Sequence, residues 1–334
     1  MGSEQDNTIM RQKLLMELNE KILKQKKELD AQLEDLIVEK EHVETEKKKI
    51  EERNIKLWEQ SEAIHREKEH VDKLKQEVEL RHQEVLDSIS YAKRIQSAIL
   101  PLEQEISKAL PQYFVYFQPR DIVSGDFYWF NVKDEKIFLA AVDCTGHGVP
   151  GAFMSMVGHI LLDEIVLQKG FVEPGKILNE LDNSVRTVLR QDNQDTSTRD
   201  GMDICLCIID KEKKIIEYAG ANRPLWIVKK SSQEILEIKS TKTAIGGLRE
   251  EAVTFLSTTL QLNEGDTLYL SSDGYADQFS SLDKKMMTKR FKEALLSIQD
   301  KNLEEQGAFL KEFHLNWKGN MEQTDDILVI GVKL

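Results

Sequence analysis

Residues 8–99 contain neither proline nor glycine. The two residues that most often interrupt a helix are therefore missing from more than a quarter of the chain, and nothing there forces a break. The chain also lacks an unbroken apolar run of the ~20 residues that a membrane-spanning helix needs, so no membrane segment is expected within it. The start, Met1-Gly2-Ser3-Glu4-Gln5, has no basic region followed by an apolar one, so no secretory leader is expected. An excess of positive charge is missing: 59 Asp and Glu outweigh 46 Lys and Arg, and the net charge of −13 disfavours a basic face for a duplex and excludes nucleic acid as an expected partner. Cysteine is scarce too, and no Cys/His set has zinc spacing. Cys205 and Cys207 stand two apart in an apolar run and so share one face of a strand, as small core residues do. Reduced thiols and a cytoplasmic location are the expectation.

What fills residues 8–99 is Glu, Lys, Gln and Leu, threaded by a strict series at every seventh residue. It runs Leu15, Ile22, Leu29, Leu36, Val43, Ile50, Leu57, Ile64, Val71, Val78, Val85, Ala92, Ile99. A strict period of seven implies a left-handed coiled coil, about 130 Å long at ~1.5 Å per residue. The column three residues on is mostly polar (Leu18, Gln25, Gln32, Glu39, Glu46, Arg53, Gln60, Glu67, Leu74, Arg81), so the coil buries only one full seam. Mixed Ile, Val and Leu in that seam point to a homodimer. A plain dimerisation stalk and a signal-transmitting rod fit the pattern equally. The series enters the segment Ala92-Lys93-Arg94-Ile95-Gln96 without a Gly/Ser spacer and stops at Pro101, which disfavours helix at Leu100. We expect a rod over 1–90, a helical linker over 91–111 and a globular domain over 112–334.

In the last part the periodicity changes. Strands are expected at 113–117, 127–132, 136–142, 203–209, 215–219, 225–229, 234–238, 252–257, 267–271 and 327–333. Helices are expected at 152–167, 174–190, 285–297 and 303–317, with a polar loop at 192–201. Strands in groups with helix pairs between them make an α+β domain, most simply two antiparallel sheets flanked by helices.

Carboxylates mark the strand ends. Asp126 stands in Ser-Gly-Asp-Phe, Asp143 in Val-Asp-Cys-Thr-Gly-His-Gly, Asp273 in Leu-Ser-Ser-Asp-Gly, and Asp325 with Asp326 in Thr-Asp-Asp-Ile. Each alone is also what a turn uses. Four such sites on apolar strands are harder to ascribe to turns, since carboxylates gathered together repel unless a cation lies between them. Oxygen donors of this kind suit Mg²⁺ and Mn²⁺. The chain is expected to be a metal-dependent enzyme acting on phosphate.

The segments Ser-Gly-Asp-Phe-Tyr-Trp, Val-Asp-Cys-Thr-Gly-His-Gly-Val-Pro-Gly-Ala, Tyr-Ala-Gly-Ala-Asn-Arg-Pro, Leu-Ser-Ser-Asp-Gly-Tyr-Ala-Asp-Gln and Thr-Asp-Asp-Ile-Leu-Val resemble, in order, the SpoIIE-like branch of the PPM (protein phosphatase 2C-type) serine/threonine phosphatases. The resemblance covers residues 90–334. It implies an α-β-β-α sandwich with two Mn²⁺ or Mg²⁺ ions at one edge. It implies Asp143 as the bridging ligand, the main-chain carbonyl of Cys144 on one ion, Asp273 and Asp325 as further ligands, and Asp126 bound directly or through water. Asp326 stands where the wider family often has Asn, so either acid of that pair is open as the ligand, with Asp325 favoured. Arg120 is open between a phosphate contact and a surface ion pair. His147 is open between a general acid to the leaving alcohol and a turn residue. Asp200 and Asp203 are candidates for a third ion. No Cys-x₅-Arg loop exists, so a hydroxide made by the metals, not a thiolate, is the expected nucleophile. The branch implies a phosphorylated STAS-type anti-sigma-factor antagonist as substrate. A scaffold or pseudophosphatase that recruits partners through the rod is the alternative, and loss of a ligand Asp would mark it.

Overall fold

The computed structural model describes all residues except 1, 192–198, 231, 233 and 250–252; of residues 2–6 only the backbone is described. The expected loop at 192–201 therefore lies mostly outside the described residues. The chain divides into two compact units, Met1–Gln83 and Glu84–Leu334. From Gly2 on, the first is one uninterrupted helix and belongs to α1 (Gly2–Ile99), which ends two residues before Pro101. Along it, Leu15, Ile22, Leu29, Leu36, Val43, Ile50, Leu57, Ile64, Val71 and Val78 are each more than half exposed in the single chain.

The second unit contains two antiparallel sheets. One has the order β1-β11-β10-β6-β7, from β1 (Tyr113–Gln118), β11 (Ile327–Lys333), β10 (Thr267–Ser271), β6 (Leu225–Val228) and β7 (Ile235–Ile238). The other has the order β2-β3-β4-β5-β9, from β2 (Phe127–Lys133), β3 (Lys136–Cys144), β4 (Gly201–Asp210), β5 (Ile215–Ala221) and β9 (Thr258–Gln261), with the short β8 (Ile245–Gly246) paired to the start of β4. Successive side chains of β3 serve two cores. Ile137, Leu139 and Ala141 face the inter-sheet core with Cys205, Cys207, Leu268, Leu270, Leu328 and Ile330. Phe138, Ala140 and Val142 face the helices α3 (Gly148–Asp163) and α4 (Pro174–Val188) through Leu162, Leu178 and Leu181. The outer face of the first sheet packs Tyr116, Tyr269 and Val329 against α5 (Gly274–Asp277), α6 (Met287–Ser297) and α7 (Leu303–Lys318) by Tyr275, Phe291, Leu295 and Leu310. Burial on both faces explains why these strands read as near-continuous apolar runs rather than alternating ones. The architecture is α-β-β-α.

Parts of the fold differ from, or add detail to, the expectation. The apolar stretch at 252–257 is not a strand in its described part, 253–257; the edge strand follows it, as β9. Phe255 instead plugs the core under α4, where its main chain exchanges hydrogen bonds with Asn179 (2.9 and 3.1 Å). A short helix, α2 (Glu103–Ala109), lies between α1 and β1 and buries Ile106 in the inter-sheet core. One helical stretch, Gly148–Gln168, is long and apolar enough by composition to cross a membrane, with half of it buried inside the fold. Its apolar residues Leu161, Leu162, Ile165 and Val166 pack on the second sheet, which is the use of a core helix.

Candidate active site

Antiparallel register carries distant carboxylates to one edge of the sandwich. Phe127 pairs with Val142, so Asp126, just before β2, meets Asp143 near the end of β3. Asp143 pairs directly with Asp203 at the start of β4. Ser271 at the end of β10 pairs with Val329 near the start of β11, which brings Asp273 to Asp325 and Asp326. Asp143, Cys144, Thr145, Gly146, His147, Asp203, Asp273 and Asp325 line a cavity of about 270 Å³ together with Met202, Arg223 and Ala244.

The turn after β3 is built by two glycines. Gly146 (φ +85°) and Gly148 (φ +64°) take left-handed conformations that cost other residues energy, and His147 stands between them as the residue before α3. Its Nδ1 lies 2.7 Å from Asp121 Oδ2, a partner the sequence did not single out. Thr145 ties the turn to β4: its N–H donates to the Gly201 carbonyl (2.9 Å), and the Gly201 N–H donates to its Oγ1 (3.1 Å).

The two neighbouring acids have different surroundings. Asp326 is buried, and both its oxygens accept main-chain amides, Oδ1 from Arg120 and Oδ2 from Gly125, each at 2.7 Å. Asp325 is half-buried and faces the cavity, with Oδ1 accepting the Asp326 N–H (2.8 Å). Arg120 does not line the cavity; its Nη1 donates to the Thr324 carbonyl (3.1 Å). Asp200 is not among the residues lining the cavity, and its main-chain carbonyl accepts from Gln191 Nε2 (2.6 Å), while Asp203 faces the cavity.

The electrostatics are those of carboxylates short of cations. Burial pushes the Asp126 carboxyl well above its ordinary value, with repulsion from Asp143 next in size. Its Oδ2 is buried without a hydrogen-bond partner. Burial pushes Asp143 up to about 8, Arg223 opposes this, and Asp273 and Asp203 add to it. Asp203 and Asp325 are raised, again chiefly by burial. No group of three or more His, Cys, Asp or Glu side chains among the described residues stands in a finished metal-binding arrangement. Three carboxylates do converge, but on a guanidinium. Arg223 Nη2 donates to Asp273 Oδ2 (2.6 Å) and Asp203 Oδ2 (3.0 Å), and lies 3.0 Å from Asp143 Oδ2. The sequence quoted Arg223 only as part of a motif; its place between β5 and β6 reads locally as a turn before Pro224. A partnerless buried carboxylate oxygen and an all-oxygen donor set fit a hard divalent cation.

The end of α1 reaches this edge. Gln96 is buried; its Nε2 donates to the Ser124 carbonyl (2.6 Å) and to Ser155 Oγ of α3 (2.8 Å), and its Oε1 accepts the Ser124 N–H (3.0 Å). Ser124 Oγ in turn accepts the Asp126 N–H (3.0 Å).

Known proteins share this architecture. The structure is similar to the SiaA-PP2C domain of Pseudomonas aeruginosa, with a TM-score of 0.68 and 30% identity, covering 76% of this chain and 98% of that one. It is similar in fold to the PP2C phosphatase domain, with a fragment of the regulatory domain, of SpoIIE from Bacillus subtilis, with a TM-score of 0.53 and 21% identity over 67% of this chain and 63% of that one. In sequence it is similar to phosphoserine phosphatase RsbP of Bacillus subtilis (strain 168), 26% identical over 199 residues, which are 58% of this chain and 46% of that protein. The chain thus spans about half the length of that curated relative. The family described as Stage II sporulation protein E (SpoIIE) matches residues 133–334. That match takes in more than half of the sequence, so the chain belongs to the SpoIIE family and carries its PP2C-type phosphatase domain.

Proposed function

We propose that the chain is a metal-dependent phosphatase for phosphoserine or phosphothreonine on a signalling protein, controlled through its N-terminal helix. The observation that carries this is the meeting of Asp126, Asp143, Asp203, Asp273 and Asp325 at one sandwich edge, with a buried Asp126 oxygen left without a partner. In this proposal Asp143, Asp126, Asp273 and Asp325, with the Cys144 carbonyl, hold two Mn²⁺ or Mg²⁺ ions, and Asp203 serves a third. Bound there, such ions supply a nucleophilic hydroxide and offset phosphoryl charge. Asp326 is given a different part, that of clamping the loop at Arg120 and Gly125 that leads to Asp126. His147, which lines the cavity and meets Asp121 through Nδ1, is given the part of protonating the departing Ser or Thr oxygen.

The name of the curated relative, a phosphoserine phosphatase, supports the substrate class. A STAS-type anti-sigma-factor antagonist is the proposed substrate protein. A second copy of the chain is the proposed partner of α1, because its exposed seven-residue column has no cover within one chain. Three buried free cysteines suit a reducing cytoplasm.

Hydrolysis of p-nitrophenyl phosphate by the wild type and by Asp143→Asn, in Mn²⁺, Mg²⁺ and chelator, tests the chemistry. Metal-dependent turnover lost in the variant is expected; equal turnover in chelator would overturn the proposal.

A further inference from the structure

We propose that Arg223 is the phosphoryl-binding arginine of this site, held in reserve on carboxylates that metal ions would take. The inference rests on the phosphatase proposal and names a residue that it leaves without a part. One nitrogen, Nη2, faces three carboxylate oxygens, those of Asp143, Asp203 and Asp273, at 3.0, 3.0 and 2.6 Å. Nη2 carries only two hydrogens, so it donates to two of the three and holds the third by charge alone. That is the arrangement of a stand-in cation, not of a finished fork-to-carboxylate pair, which uses two nitrogens on one acid. The rest of the guanidinium is unspent: Nε is buried and has no acceptor. Burial alone would make Arg223 easier to deprotonate, but the three acids outweigh it, so the side chain stays a full cation.

Its backbone is fixed while its side chain is committed only by these contacts. The Arg223 N–H donates to the Ala221 carbonyl (2.6 Å), its carbonyl accepts from Tyr218 Oη (2.6 Å), and Pro224 follows. Asn222, at φ +56°, is tied to Asp203 Oδ1 (2.8 Å) and to the Thr241 carbonyl (2.8 Å). Arg223 is the one Lys or Arg among the described residues lining the cavity; Arg120 lies outside it. Asp143 and Asp273, once holding divalent ions, would no longer hold the Arg223 guanidinium on the same oxygens. Nε and Nη2 would then be free to make a two-pronged contact with a phosphate monoester in the cavity.

The test uses the full chain with Arg223→Met and Arg223→Lys, each checked for folding by thermal melting. Calorimetry measures Mg²⁺ binding to the metal-stripped protein, then inorganic phosphate binding to the Mg²⁺-saturated protein. Removing a competing cation and a phosphate ligand should have opposite effects. Arg223→Met should bind Mg²⁺ about fivefold more tightly and phosphate about tenfold more weakly, with Arg223→Lys between it and the wild type for phosphate. Phosphate affinity within about twofold of wild type in both variants, or unchanged Mg²⁺ affinity in Arg223→Met, overturns the inference. Turnover of p-nitrophenyl phosphate by the wild type is followed in parallel. Its absence beside Arg223-dependent phosphate binding would sink the phosphatase proposal and keep this one; its presence beside indifferent phosphate binding would do the reverse.

Discussion

Asp325 and Asp326 are chemically identical and adjacent, and only their neighbours tell them apart. Asp326 spends both oxygens on main-chain amides, whereas Asp325 faces the cavity. The sequence offered the pair as alternatives because amide donors 201 and 206 residues away leave no local trace. Asp325→Asn should therefore weaken Mn²⁺ binding with little change in the melting temperature of the metal-free protein. Asp326→Ala should cost about 1–3 kcal/mol of stability by leaving the buried Gly125 amide unsatisfied. Melts with and without Mn²⁺ compare the two, and equal behaviour would refute the division of labour. Asp143 and Asp126 make a second prediction. Both are raised in the folded protein above the ordinary value of 3.8, Asp143 to about 8. A group with a raised folded value favours the folded state most when it is protonated. Its contribution is full below about pH 4 and lost as pH climbs through about 8. In chelator the melting temperature should fall from pH 5 to pH 8.5, and saturating Mn²⁺ should flatten that fall by binding the ionised form. A chelated protein whose melting temperature rises over the same range would contradict the sign.

Among the elements, strands with two buried faces are the most legible: β3, β4, β10 and β11 each carry an apolar run with residues of the site at one end. Once such strands pair antiparallel, the edge at which their acids meet is fixed, so the site followed from the pattern of the strands. Elements held by few apolar contacts were not legible. β9 is a polar edge strand, Thr-Thr-Leu-Gln, and β8 is two residues long, so neither has a period to read. Arg223 and Asp121 escaped for a related reason, since each lies in a connection where local sequence shows a turn and the partners come from distant parts of the chain. Gln96 lies in a stretch that was read as a helical linker, yet its amide is what closes the end of α1 on the loop before Asp126. Gln96→Ala should leave the Ser124 carbonyl and amide unpaired in the interior, costing about 1–3 kcal/mol. Because Ser124 also holds the Asp126 amide, the variant should need more Mn²⁺ for half-maximal turnover. A Mn²⁺ titration of activity checks this; a lowered melting temperature with an unshifted titration would make Gln96 a packing residue only.

For the whole molecule, the heptad series runs without interruption from the first compact unit into the helix end that carries Gln96. A helix advances about 100° per residue, so inserting one alanine after Val85 turns everything beyond it by about that angle relative to the upstream seam. Inserting seven residues of heptad sequence restores the phase, to within about 20° for a straight helix and fully for a supercoiled one. If the N-terminal helix acts on the site through the rotational phase of a two-chain coil, the one-residue insertion should change kcat at saturating Mn²⁺, and the seven-residue insertion should leave it near wild type. If the helix only holds two copies together, both insertions should leave kcat unchanged while sedimentation shows dimers throughout. If both insertions alter kcat alike, continuity rather than phase matters, and the control would then be one of stiffness. Running the pair against sedimentation separates a change of phase from a loss of association, since a monomer produced by either insertion would disqualify its rate from the comparison. The one polar column of the coil gives the outcome physical grounds. In the proposed two-chain coil, a seam apolar on one side only would penalise a shift of register less than a fully apolar one, which would put a second phase within reach of an input at the N-terminal helix.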